Sequence, residues 1–290
     1  MTNYPNDVTS SAVRIITDSA CDLPDSVVQS LGIEVVPLFI RFGEEELVDR
    51  EQLTTAQFWQ RCSLESELPS TAAPSPGRFE DAVRKLQSEG ATGVVIINLS
   101  GALSGTMQSA EVAASALAST FDVRVVDSRT VTMGLGAIVV ACAHAAQDGK
   151  SIDEIEALAH DLSRRCKVWG ALDTLENLKK GGRIGGAKAM LASVLSIKPI
   201  IEVRDGVVQE GGKQRTRSKA LAFLVDKVRE ASAHPGISQL SILNADCSDV
   251  EAFITQLKTV YSGEIMVGDI GAVVGAHAGR GTIGVAFFEN

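Results

Sequence analysis

Aromatic residues are scarce in this chain of 290, 4% against 45% hydrophobic residues in all. Its interior must therefore be built from Val, Ile, Leu and Ala, and a core of that kind can also wall a smooth aliphatic cavity. Cysteine is sparse as well. Cys21, Cys62, Cys142, Cys166 and Cys247 form an odd set without C-x-x-C spacing, which favours reduced thiols over a disulfide framework or a zinc site. Positive charge is outweighed to a formal −9, opposing binding of the chain as a whole to nucleic acid or anionic membrane. The opening "MTNYPNDVTSSA" lacks the basic and apolar regions of a secretory signal. The longest apolar run, "MGLGAIVVACAHAA", is too short to span a bilayer. These absences predict a soluble, cytoplasmic protein. With four histidines and no His/Asp/Glu grouping at ligand spacing, no metal site and no cofactor are expected.

What is present is a repeating alternation. "VRIIT", "IEVVPLFI", "GVVIIN", "VRVVD", "SIKPIIEV", "LSILNA" and "TIGVAFF" read as strands. Between them, Phe79, Ala82, Val83 and Leu86 recur at helical spacing, as do Leu221, Leu224, Val225 and Val228, and Val250, Phe253, Ile254 and Leu257. Ser151 with Glu154 and Ser248 with Glu251 have capping-box spacing at helix starts. Strands alternating with helices predict an α/β protein of two closely packed domains with mainly parallel sheets, residues 13–166 and 167–290. Ligands of such folds tend to lie beyond the carboxyl ends of strands, in the loops.

One loop invites a wrong reading. Gly279-Arg280-Gly281-Thr282-Ile283-Gly284 matches G-x-G-x-x-G, but a dinucleotide fingerprint follows a strand and opens a helix. Here the residues after Gly284 look like strand, and the chain given ends before an acidic partner about twenty positions on. Dinucleotide binding is rejected. "TDSACDLP", "PSTAAPSPGRF" and "NLSGALSGTMQSA" are rich in small hydrogen-bonding groups, which turn and cap chemistry alone also explains. His144 and His160 fall in helices and His234 precedes a proline, so only His277 sits in a glycine-rich loop. A hydrolase pairing Ser100 or Ser104 with His277 is one alternative, although Ala102 stands where a nucleophile elbow needs glycine. In "LENLKKGGRIGGAKAML", Gly181 or Gly182 can cap a short helix, leaving Arg183 on the following turn. Ala187, Ala189 and Ala192 then allow either close helix packing or room for a ligand. In "GGKQRTRSK", Lys213, Arg215, Arg217 and Lys219 lie two apart and share one side if extended. That row is either a solvated edge or a docking patch for an acidic partner or phosphate, and a phosphate-binding regulatory module is a further alternative. Thr216 or Ser218 could cap the helix that follows.

Taken together and in order, "IITDSACDLP", "STAAPSPGRF", "LSGALSGTMQSA", "VVDSRTVTMGLG", "LDTLENLKKGGRIGG", "KQRTRSKAL" and "VVGAHAGRGTIGVAF" resemble the DegV family of bacterial fatty-acid-binding proteins. The resemblance runs from Arg14 to Phe288. It implies a two-domain α/β protein holding one long-chain fatty acid in a tunnel between the domains. It also implies that Thr71, Ser100, Gly101, His277 and Arg183 surround the carboxylate. In the family a separate fatty acid kinase phosphorylates that carboxylate for phospholipid synthesis, and the binding protein has no catalytic step of its own. The resemblance therefore implies a fatty acid and a fatty acid kinase as partners, no nucleic acid, and room for transient membrane contact. The chain departs from the family pattern at Ala72, Ala73, Gly101 and Arg280, and in "LNAD" at 243–246.

Overall fold

The computed structural model describes residues 12–65, 67–192 and 197–290. The opening residues read above for a signal (1–11) lie outside these, as does the side chain of Ala192. The strands are β1 (Val13–Asp18), β2 (Glu34–Val36), β3 (Phe39–Phe42), β4 (Glu45–Val48), β5 (Ser70–Ala72), β6 (Gly93–Asn98) and β7 (Asp122–Asp127). They continue with β8 (Cys166–Ala171), β9 (Lys198–Arg204), β10 (Val207–Gln214), β11 (Ile237–Asn244), β12 (Met266–Asp269) and β13 (Ile283–Glu289).

The first sheet has the order β2-β1-β6-β7 and is parallel throughout. Its central strand β6 is buried along its whole length, which is why "GVVIIN" reads as a continuous apolar run. Alternation sends Ile16, Val94 and Ile96 to a face covered by the helices Pro76–Ser88 and Thr106–Leu117. Ile15, Val95 and Ile97 point the other way, onto the helix Met133–Gln147. That helix is buried at every position from Met133 to Val140. It also meets Val168, Leu243, Ala286 and Phe288 of the second sheet. A helix apolar all round is a core helix. The run that was too short for a membrane is the element between the two sheets, and no helix among the described residues is long and apolar enough to cross one.

The second sheet has the order β10-β9-β8-β13-β11-β12. Only β11 and β12 pair in parallel; the other neighbours are antiparallel. The α/β class and the parallel first sheet are as expected, whereas mainly parallel pairing fails in this second sheet. One cause is local. Asp205 and Gly206 both have positive φ, 55° and 80°, so β9 turns straight back into β10 through a two-residue primed turn. "IEVVPLFI" also divides. Pro37 separates β2 in the first sheet from β3, which joins a three-stranded antiparallel sheet of order β4-β3-β5. The box at Ser151 and Glu154 forms as expected. The helix Val250–Leu257 is instead preceded by Asp249, with no side-chain cap.

Candidate functional site

The small sheet places Thr71. In β5 it lies opposite Ile40 of β3, and the chain then leaves through Pro74 and Pro76, the second of which opens the next helix. His277 comes from the other end of the sequence, on the helix Ala272–Ala278, made of the small residues "AVVGAHA". Gly275 in this helix lets it lie on Phe58 and Trp59, since a Cβ there would fall 2.7 Å and 2.8 Å from their rings. The helix ends at Gly279, φ 82°. The G-x-G-x-x-G stretch thus runs from a helix end into β13, the reverse of a nucleotide fingerprint.

Thr71 Oγ1 and His277 Nε2 are 2.9 Å apart. The imidazole stacks against the backbone at Gly181, where a Cβ would lie 2.2 Å from Nδ1, and Nδ1 itself is buried without a hydrogen-bond partner. Burial, then the nearby Arg183 charge, pushes the His277 pKa down to about 4, so the ring is neutral at physiological pH. Gly182, φ 73°, closes the helix Glu176–Lys180. Arg183 beyond it is part-buried, donating from Nε to the Leu103 carbonyl at 3.0 Å and from Nη1 to the Gly181 carbonyl at 2.7 Å. It is a fixed charge, not a waving one. Of the Ala-rich stretch, Ala187 is buried against Leu172, Leu175, Leu178 and Val208, so its small size serves close packing.

Thr71, Arg183 and His277 line two spaces at once. One is a narrow cavity. Its wall is aliphatic, with Leu38, Leu99, Leu103 and Val131 from one half of the chain and Ile201, Val203, Val208, Val273 and Val274 from the other. The second is a wider depression, bordered by Glu67, Ser70, Asn177 and Lys180. The hydroxyl, imidazole and guanidinium stand where an oily chamber meets a polar opening.

Two residues of the expected set are elsewhere. Ser100 is fully buried and donates to the Gly206 carbonyl at 2.7 Å. The Gly101 N–H donates to Asp127 at 3.2 Å. Neither lines the aliphatic cavity; the serine that does is Ser104, four residues on. Ser104 shares a 2.9 Å hydrogen bond with Thr106, so His277 is paired to a threonine and the serines to other groups. The structure does not bring a Ser–His dyad together.

The basic row is not one strand face. Lys213 lies one residue before the end of β10 and is ion-paired with Glu210, Thr216 caps the helix Arg217–Ala233 through the Lys219 N–H, and the alternation stops there. Arg217 is not available for docking: it grips both oxygens of Asp249 at 2.9 Å and also donates to the Gly281 carbonyl. Arg217→Ala should therefore lower unfolding stability by about 2 kcal/mol, while exposed Arg215→Ala stays within about 0.5 kcal/mol; denaturant titration of both variants checks this.

Asp18, in the loop "TDSACDLP", is fully buried. Its carboxylate accepts from Asn98 Nδ2 and from the Leu99 and Ala20 N–H groups at 2.8–3.0 Å, and burial raises its pKa to about 6. It ties the loop after β1 to the end of β6, fixing cavity-lining Leu99. "TDSACDLP" is thus a structural junction first.

A fold of this kind around a cavity with one polar end defines a small-molecule binding protein. The family described as "Uncharacterised protein, DegV family" matches residues 12–290, and the chain belongs to the DegV family. A DegV domain-containing protein of Deinococcus radiodurans is 37% identical over 278 residues, covering 95% of this chain and 98% of that one. Another from Clostridium acetobutylicum is 34% identical, covering 96% and 98%. Among solved structures, a fatty-acid-binding DegV family protein from Thermus thermophilus superposes with a TM-score of 0.86 at 32% identity, covering 96% of this chain and 99% of that one. DegV of Bacillus subtilis, a fatty acid binding protein, gives 0.85 at 26% identity over 96% and 99%.

Proposed function

We propose that this protein binds one long-chain fatty acid, with the tail in the aliphatic cavity between lobes 13–166 and 167–290 and the carboxylate at Thr71, His277 and Arg183. The observation that carries this reading is the position of those three side chains on the boundary between the oily chamber and the polar depression. Burying the roughly fifteen apolar carbons of a palmitate tail is worth ~12 kcal/mol before entropic costs. The head is the costly end, because a buried carboxylate needs charge-assisted partners. With the ring neutral, either the Thr71 hydroxyl or the His277 Nδ1–H, but not both, donates to the head, beside the fixed Arg183 charge. Ser104 is the serine best placed to join them, ahead of Ser100 and Gly101, which are bonded elsewhere.

The protein then acts as a non-catalytic carrier. It presents the carboxylate through the depression to a fatty acid kinase, with exposed Lys213, Arg215 and Lys219 offering a basic edge to such a partner. Solvent extraction of protein purified from a bacterial host, followed by mass spectrometry, should yield fatty acid near one equivalent. Lipid-free extracts, together with no fatty-acid binding by titration, would refute the reading.

A further inference from the structure

Carboxylates are rarely buried without strong cause, and Asp22 is only 6% exposed. Its backbone is left-handed, φ 51° and ψ 25°, a conformation that costs a non-glycine residue energy and persists only where its surroundings demand it. Burial raises its pKa to about 7, opposed by the hydrogen bond from the Gly271 backbone. The residue is expensive twice over, in its burial and in its backbone.

Its hydrogen bond shows what the expense secures. Asp22 Oδ1 accepts the Gly271 N–H at 2.9 Å across 249 positions of sequence. Trp59 Nε1 donates to the Ile270 carbonyl at 3.2 Å across 211 positions. The Ile270 carbonyl and the Gly271 N–H belong to one peptide group. That single plane is therefore held at both polar ends by side chains from distant parts of the fold. Two glycines permit the approach: a Cβ at Gly271 would sit 3.0 Å from Asp22 Oδ1, and one at Gly268 2.9 Å from the Asp22 carbonyl oxygen.

The next residue, Ala272, begins the helix that carries Val273, Val274 and His277. We propose that Asp22 and Trp59 form a clamp on the Ile270–Gly271 peptide that sets the position of His277 against Thr71. His277 lies ~9 Å along the helix from the clamp, so a tilt of ~10° there moves the imidazole by ~1.5 Å. That exceeds what the 2.9 Å contact with Thr71 tolerates. Asp22 is thus a positioning residue: it touches neither the cavity nor the polar depression, and acts through the helix. The inference deepens the fatty-acid reading but has a readout of its own.

The test compares Asp22→Ala, Asp22→Asn and Trp59→Phe with the parent protein. The readouts are the His277 imidazole resonances by nitrogen NMR and the affinity for cis-parinaric acid. Asp22→Ala should move the His277 resonances and its titration toward those of a solvated histidine and weaken the probe about tenfold. Asp22→Asn keeps an oxygen for the Gly271 N–H and should restore both. Trp59→Phe removes the indole donor together with ring atoms packed on Gly275 and should shift the resonances in the same direction, which also serves if Asp22→Ala fails to fold. Unchanged His277 resonances in folded Asp22→Ala, or in Trp59→Phe where the alanine variant does not fold, overturn the clamp. A parent protein that binds no cis-parinaric acid would refute the fatty-acid reading instead, while the resonances still decide the clamp.

Discussion

Gly181→Ala is expected to weaken long-chain fatty acid binding by more than tenfold while leaving the fold intact. Gly181 has φ −74° and ψ −7°, so alanine is conformationally welcome there and slightly favoured. The effect comes from one new methyl group, which would lie 2.2 Å from His277 Nδ1, 2.8 Å from its Cε1 and 3.1 Å from the Asn177 carbonyl oxygen. The imidazole must leave its slot, and with it go the Thr71 contact and one head-group donor. A head group deprived of one partner loses about 1–3 kcal/mol, or roughly ten- to a hundredfold. A double-mutant cycle isolates the cause. In a His277→Ala background there is room for the methyl, so adding Gly181→Ala should change affinity little. Equal losses in both backgrounds would show that Gly181 acts by some other route.

The same displacement has a pH signature. His277 in its slot has a pKa lowered from 6.5 to about 4. The unfolded chain therefore takes up a proton before the folded one does as pH falls. Its neutral ring adds a pH-linked stability that is complete above about pH 6.5 and lost as pH falls to about 4, on the order of 3 kcal/mol. The three buried aspartates work in the opposite sense. Asp18, Asp22 and Asp49 are raised to about 6, 7 and 6, chiefly by burial, so their contribution is present below about pH 4 and fades as pH rises toward 7. In the parent alone the three aspartates outweigh the single histidine, so the net slope runs in their direction. The difference between the parent and His277→Ala, measured by denaturant midpoints from pH 7 to pH 4.5, should show the histidine term by itself.

The second large effect concerns the tail. Ile201 on β9 lines the cavity and is only partly buried, so added bulk there is directed into the void. Ile201→Trp should take the space of two or three methylenes. At ~0.8 kcal/mol each, the longest ligands lose about 2 kcal/mol, roughly thirtyfold in affinity. A fatty acid shorter by the same number of carbons should bind the variant as well as the parent does. Mass spectrometry of the co-purified lipid should show the distribution moving to shorter chains, at unchanged stoichiometry. A uniform loss across chain lengths would mean that the substitution harmed the head-group end or the fold, and that the cavity does not measure length.

Much of this was legible in one dimension. Helical spacing at Phe79, Ala82, Val83 and Leu86 fixed a buried face because side-chain direction repeats with the backbone, and all four are buried. Ser151 was readable as a cap, and the other caps were narrowed to Thr216 or Ser218 and Gly181 or Gly182, because capping is decided within a few residues. The Asp205-Gly206 turn was equally legible and was passed over, which is why the second sheet was expected to be parallel. The candidate site divides along the same line. Thr71, Arg183 and His277 were nominated through family resemblance, but Ser100 and Ser104 belong to one short loop, and sequence could not say which of them faces the cavity. Arg217 looked like its neighbours in the basic row until Asp249, 32 residues on, was seen to hold it.

The sequence by itself determined the class of fold, the aliphatic character of the interior and the loops that matter, because propensity, periodicity and capping act over short spans of chain. Only the tertiary structure decided which polar groups are left to meet a ligand. That choice depends on which donors and acceptors have already been claimed by residues far away, as Gly206 claims Ser100 and Asp22 claims Gly271. A hydrogen-bonding group can be counted from sequence, but whether it is spent is a property of its neighbours in space.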